Sequence, residues 1–188
     1  MRKIAVMIGS DSDLPQCLKG LDVLRLAELR GLVEVLRVET CSLHRNTEGV
    51  LDLLWRDDGQ HIVDVWIIGA GMANHLTGTC DAYLRYCLGN TTTVVVGVAF
   101  DGGLEHPERT EAAKLSISQV PGTQVVWHSG DGEQFVGEDG FCRACKWAVT
   151  TPELPTIKQP ESKETKTRTL AEALEAAEVA VEAAANKS

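Results

Sequence analysis

Ile62-Val63-Asp64-Val65-Trp66-Ile67-Ile68-Gly69-Ala70-Gly71-Met72-Ala73-Asn74-His75 runs from a nearly continuous apolar stretch directly into a glycine loop. A strand of that composition is covered on both faces, as the strands of a parallel sheet are. A helical pattern, Leu76 to Leu88, follows it, so the stretch opens a βαβ unit. The same order recurs along the chain. Apolar runs at Ile4 to Ile8, Val33 to Val38, Thr93 to Val98 and Gln124 to Trp127 alternate with helical patterns at Leu14 to Leu29, Thr47 to Leu54, Pro107 to Ile117 and Glu138 to Val149. The alternation predicts an α/β fold: a doubly wound parallel sheet with right-handed crossovers in a three-layer α/β/α arrangement. Asp13 is positioned to cap the first helix, with Pro15 in its first turn, and Asn46 to cap the second.

The 188 residues carry 18 Lys and Arg against 27 Asp and Glu, a formal net charge of −9. Nucleic acids and anionic membrane surfaces need an excess of basic residues on one face, so neither is an expected partner. A small anionic molecule remains compatible, because helix-start N–H groups and one or two arginines can neutralise it locally. A hydrophobic content of 44% supports a substantial core in one domain of ordinary size with an appendage. No apolar run approaches the roughly 20 residues that span a bilayer, and strand pattern occupies the start of the chain in place of a signal peptide. The expected location is cytoplasmic. The six cysteines, at 17, 41, 80, 87, 142 and 145, are dispersed through apolar segments and read as reduced thiols. Cys142 and Cys145 form a lone C-x-x-C within a helical stretch with no second ligand pair, so no metal site is read from them.

Pro152, Pro155 and Pro160 close the globular part, taken as residues 1–154. Residues 155–169 are polar and read as a linker. Residues 170–188 are rich in Ala and Glu, with Leu170, Leu174, Ala177 and Val181 on one stripe, and read as a helix that needs a surface to dock on.

Three apolar runs end in polar loops, and ligands of open α/β sheets bind outside the carboxyl ends of the strands. In Gly9-Ser10-Asp11-Ser12-Asp13 the glycine permits a tight turn, the serine hydroxyl and helix-start N–H groups can hold phosphate, and a carboxylate can accept from ribose hydroxyls; a capped turn without a ligand has the same residues. In Cys41-Ser42-Leu43-His44-Arg45-Asn46, an imidazole able to move protons near neutral pH stands beside a guanidinium able to pair with phosphate. His75 opens a helix after the glycine loop, where a structural contact is the alternative to a functional one. His61, His106 and His128 have no chemical context and read as surface or satisfied residues. The third glycine of the dinucleotide fingerprint is absent, as are the P-loop and H-E-x-x-H signatures.

In their order, Gly9-Ser10-Asp11-Ser12-Asp13, Ser42-Leu43-His44-Arg45, Gly69-Ala70-Gly71-Met72-Ala73-Asn74-His75-Leu76 and Leu115-Ser116-Ile117-Ser118-Gln119-Val120-Pro121-Gly122 resemble the PurE family of purine biosynthesis over about residues 3–154. The resemblance implies a flavodoxin-like fold and assembly as a homo-octamer. For a chain with a G-S-x-S-D loop it also implies an isomerase, an N5-carboxyaminoimidazole ribonucleotide mutase. That enzyme moves a carboxylate from an exocyclic nitrogen to carbon 4 of the imidazole with no metal, ATP or biotin as cofactor. By the same resemblance His44 is the catalytic proton-transfer group. Ser10, Asp11, Asp13, Ser42, Leu43 and Arg45 contact the phosphoribosyl part, and Gly71, Met72, Ala73, His75 and Leu76 border the imidazole and its mobile carboxylate.

Where the family has S-A-H-R, this chain has Ser42-Leu43-His44-Arg45; where it has G-A-G-G-A-A-H-L-P-G, this chain has Met72 for a glycine, Asn74 for an alanine and Thr77 for the proline. The segment Phe100 to Ala113 is longer and more charged than the family pattern, and the Ala/Glu tail is additional. Two alternatives accompany the mutase: a direct CO2-dependent aminoimidazole ribonucleotide carboxylase, against which the G-S-D-S-D loop argues, and a nucleotide-binding paralogue without turnover. The apolar residues of Leu76 to Leu88 and Phe141 to Val149 exceed what a small sheet can cover, so a homo-oligomer is expected.

Overall fold

The computed structural model describes residues 1–60 and 62–185, so the expectations for His61 and for the last residues of the tail, 186–188, lie outside it. Four parallel strands, β1 (Arg2–Ile8), β2 (Val33–Thr40), β3 (Val65–Ala70) and β4 (Val94–Ala99), stand in the order β2-β1-β3-β4. Six α-helices are described: α1 (Leu18–Leu29), α2 (Thr47–Gln60), α3 (His75–Ala82), α4 (Pro107–Ser118), α5 (Gly137–Thr150) and α6 (Leu170–Ala185). The chain leaves β1 towards one edge and returns to its other side at β3, which puts the topological switch between those two strands.

Alternation along each strand divides the core. Ile4, Val6 and Ile8 of β1 join Val65, Ile67, Val94, Val96 and Val98 beneath α1 and α5, while Ala5, Met7, Trp66, Ile68 and Val95 face α2 and α3. Helix α4 extends the second layer past β4, with Ala113 and Ile117 against Ala99. Each fully buried aliphatic or aromatic side chain in these layers contributes about 1.5–3 kcal/mol relative to exposure. The result is a flavodoxin-like α/β/α sandwich.

Four sequence expectations are corrected. Gln124–Trp127 does not form a fifth strand. Only Val126 bridges β4, at Val96, and the edge is next covered by Val136 opposite Ala99. The chain spends ten residues where β4 advances three, because residues 129–133 loop outward and split the strand. The first helix starts as a 3-10 turn, Asp11–Cys17, that contains Pro15, and its cap is Ser10, which accepts from Ser12 N at 3.4 Å. Asp13 is turned away to another partner, whereas Asn46 does cap α2, accepting from Gly49 N at 3.2 Å. Helix α3 does not run unbroken to Leu88: it widens into a π turn at Tyr83–Cys87. There Arg85 is wholly buried, paired with Asp81 at 3.0 Å and donating to the carbonyls of Asn90 and Thr93 at 2.8 and 2.7 Å. Finally, most of the apolar residues expected to be surplus are covered within one chain: Leu76, Cys80, Leu84, Phe141, Ala144, Cys145 and Ala148 are buried, while Tyr86 stays exposed. Much of the other exposed apolar surface lies at Leu18, Leu29, Leu32, Trp55, Leu104 and Leu115.

Beyond α5 the chain has no regular structure until α6. Its first part is nevertheless fastened: Ile157 is buried in the α1/α5 core, and Lys158 N donates to Gln124 Oε1 at 2.8 Å while Gln124 Nε2 donates back to Lys158 O at 2.6 Å. Helix α6 buries none of its residues. No helix among the described residues is long and apolar enough to cross a membrane.

Candidate active site

The carboxyl ends of all four strands open onto one cavity of about 730 Å³, within the size range of small-molecule sites. The loop after β1 supplies Ser10 and Asp13, that after β2 Ser42, Leu43, His44 and Arg45, and that after β3 Gly71, Met72, Ala73, His75 and Leu76. Of the residues singled out in the sequence, only Asp11 does not line it; that side chain is exposed on the 3-10 turn. The loops sit close because Gly9 N donates to Gly69 O at 2.9 Å, and a Cβ on Gly9 would stand 2.7 Å from that of Ala70. No side chain can replace that hydrogen.

His44 Nε2 lies 3.2 Å from His75 Nδ1, with the rings edge to face. One of these nitrogens carries the shared proton and the other accepts it, so each ring sets the tautomer of its neighbour. Asp13 Oδ2 accepts from Gly71 N at 3.4 Å, which links the first and third loops. Burial raises the Asp13 carboxyl above its ordinary range, and the Gly71 N–H offsets part of that rise. The nearby thiols are poor nucleophiles. Burial and the charge of Asp13 push Cys17 up to about 12, and burial and Glu39 push Cys41 up to about 11. Proton transfer through imidazole is the chemistry the cavity wall can support.

The third loop departs from its expected pattern in two ways with structural consequences. Met72 adopts φ of 56°, the one non-glycine residue with positive φ among the described residues, with its side chain 61% exposed at the cavity rim. A methionine therefore holds the left-handed conformation that glycine adopts without steric cost. Asn74 and Thr77, both fully buried, are coupled: Asn74 Oδ1 accepts from Thr77 N at 3.1 Å, and Asn74 Nδ2 donates to Val98 O at 2.9 Å. Proline has no N–H, so only the threonine form needs that acceptor.

Sequence reasoning missed the fourth strand end. Gln16, Asp101, Gly102 and Arg109 also line the cavity. Gln16 clasps the loop after β4, donating to Asp101 O at 3.0 Å and accepting from Asp101 N at 2.9 Å. The signal was present, since Phe100 to Ala113 follows an apolar run and is rich in charge.

The AIR carboxylase family model matches residues 3–129. An N5-carboxyaminoimidazole ribonucleotide mutase of Pyrococcus abyssi (strain GE5 / Orsay) is 31% identical over 169 residues, covering 87% of this chain and 79% of that protein. Among solved structures, a Treponema denticola PurE2 variant superposes with a TM-score of 0.55 at 14% identity, and Treponema denticola PurE with 0.51 at 15% identity. Each match covers 80% of this chain and 89% of the other. The two structures share the fold, and the sequence matches extend across the four strands and the loops that build the cavity. The chain belongs to the AIR carboxylase (PurE) family.

Proposed function

We propose that this protein is an N5-carboxyaminoimidazole ribonucleotide mutase, an isomerase of purine biosynthesis. The observation that carries the reading is His44, which lines one cavity with Arg45 and the glycine loop and has His75 Nδ1 3.2 Å from its Nε2. In this reading Arg45 and Ser42 hold the phosphate, Ser10 and Asp13 the ribose, and Gly71, Met72, Ala73, His75 and Leu76 surround the imidazole. Leu43, buried beneath the second loop, supports it from the core side. Breaking the carbamate N–C bond yields CO2 and returns a proton to the exocyclic nitrogen. Carbon 4 then attacks the retained CO2 and gives up its own proton. His44 supplies the first proton and takes the second, so the cycle closes without net proton exchange. CO2 held in place makes recapture effectively intramolecular.

His44, Arg45 and His75 are exposed in the single chain, so retention of CO2 requires the mouth to be covered. We assign that cover to further copies of the chain in a homo-oligomer, an octamer by family likeness. Residues 1–154 form the catalytic domain, 155–169 the connection and 170–188 an appended tail that is helical over Leu170–Ala185. The protein acts in the cytoplasm.

Incubation with the carbamate nucleotide and, separately, with aminoimidazole ribonucleotide plus bicarbonate tests the assignment. The 4-carboxy product should form rapidly from the first. Formation from the second alone would identify a CO2-dependent carboxylase, and nucleotide binding without product from either would identify a paralogue without turnover.

A further inference from the structure

Resting on the mutase reading, we propose that Arg109 is a specificity-determining residue that binds the carboxylate of the 4-carboxy nucleotide, opposite the phosphate-binding Arg45. The cavity contains two arginines in a protein whose formal charge is −9. Among the described residues, neither guanidinium donates a hydrogen bond or forms an ion pair. Of the acids near Arg109 in sequence, Glu111 pairs with Lys114 Nζ at 2.8 Å, and Asp101 and Glu108 have other partners. The Asp101 carboxylate accepts from Thr110 Oγ1 at 2.7 Å and from Gly103 N at 2.9 Å, and these bonds hold its pKa below the usual carboxylate range. Glu108 Oε1 pairs with His106 Nδ1 at 3.1 Å. Arg109, whose charge also acts on Glu108, is therefore a half-buried guanidinium without an ion pair on the wall of an anion-binding cavity.

Its place in the sheet selects the group it reads. Arg45 follows β2 and Arg109 follows β4, the two edges of the order β2-β1-β3-β4. Three strand spacings separate those edges, roughly 14 Å at the usual inter-strand distance. A nucleotide with its phosphate at the β2 end crosses the β1 and β3 loops, and the group at its far end meets the β4 side. Gln16 and Thr110 fix that side: Thr110 Oγ1 accepts from Gly102 N at 2.9 Å, and Gln16 brackets the backbone of Asp101. The cation is thus carried on a fastened first turn of α4. An anion at each end matches a ligand with phosphate and carboxylate, and a guanidinium recognises carboxylate through paired N–H donors.

Calorimetry on the full chain with aminoimidazole ribonucleotide and with its 4-carboxy derivative separates the two ends. Arg109→Gln should weaken the carboxylated nucleotide roughly 10- to 100-fold, the scale of a lost charge-assisted hydrogen bond, and leave the uncarboxylated one within about twofold. Arg109→Lys should recover part of the loss, and unchanged melting of both variants shows that the fold is intact. Equal weakening of both nucleotides would assign Arg109 to phosphate and overturn the proposal, as would no weakening of either. A parent protein that binds neither nucleotide would overturn the mutase reading itself and this inference with it, a result distinct from either failure of Arg109 alone.

Discussion

Asn74 Oδ1 accepts both the backbone N–H of Thr77, at 3.1 Å, and its hydroxyl, at 3.0 Å, both residues being fully buried at the start of α3. The family pattern places alanine and proline at these positions, a pair with neither the donor nor the need for it. Asn74→Ala should strand the Thr77 N–H and destabilise the protein by about 1–3 kcal/mol. Adding Thr77→Pro removes that donor, so Asn74→Ala with Thr77→Pro should cost less than the sum of the single changes. Urea denaturation of the four proteins measures the coupling, and strict additivity would show that the two residues act independently.

Met72 holds φ of 56° with most of its side chain in solvent. Met72→Gly relieves a left-handed strain of about 1–2 kcal/mol and adds about 0.4–1 kcal/mol of unfolded-chain entropy. A net gain near ~0.5–1 kcal/mol is expected in the same denaturation assay. A loss of stability would show that the exposed thioether makes contacts that outweigh the strain.

For His44→Asn, folding and nucleotide binding should persist, because an amide can replace one hydrogen bond of the ring towards His75. An amide cannot exchange a proton near neutral pH, so turnover should fall by at least the roughly 10²–10⁴-fold that general acid–base catalysis supplies. Product absorbance and calorimetry on one preparation separate the two effects. Full turnover in the variant would remove His44 from the proton path.

The raised Asp13 carboxyl gives a signed pH dependence. The folded protein holds this proton more tightly than the unfolded chain does, so ionisation opposes folding. The contribution is absent below the ordinary value of 3.8. It grows as a loss of stability while pH rises through that value to the folded one, then stays constant. Asp13→Asn should therefore exceed the parent in stability by more at pH 7 than in strong acid, while binding ribonucleotide less well. Equal differences at both pH values would show that the carboxylate is not penalised by burial.

Ile157 is buried in the main core, although it lies in a proline-flanked polar stretch. A chain ending after Pro160 should melt close to the full-length protein. One ending after Pro155 should lose about 2–4 kcal/mol, the order of cost for emptying a buried aliphatic site. Thermal melts of the two truncations decide this, and similar melting would show that the strap contributes little.

The layers of the fold and three of the four walls of the cavity were legible in the sequence because each depends on local order. Nearly continuous apolar runs mark strands covered on both faces, period-3.6 spacing marks the helix faces that are buried, and a polar turn after a buried strand marks its carboxyl end. The apolar run from Ile62, within which β3 starts at Val65, and the loops at residues 9–13, 42–45 and 69–76 therefore disclosed themselves without a partner. Only the tertiary structure decided who meets whom. Asp13 leaves its cap position for Gly71, 58 residues away, and Gln16 grips Asp101 across 85. The edge of β4 is covered by two separated residues, Val126 and Val136, so the apolar run at 124–127 does not become a strand. Arg109 became part of the site because β4 lies beside β3, a neighbourhood set by strand order and invisible to any local period. Local spacing specifies burial, whereas contacts between distant residues follow from how the crossovers bring the strand ends together.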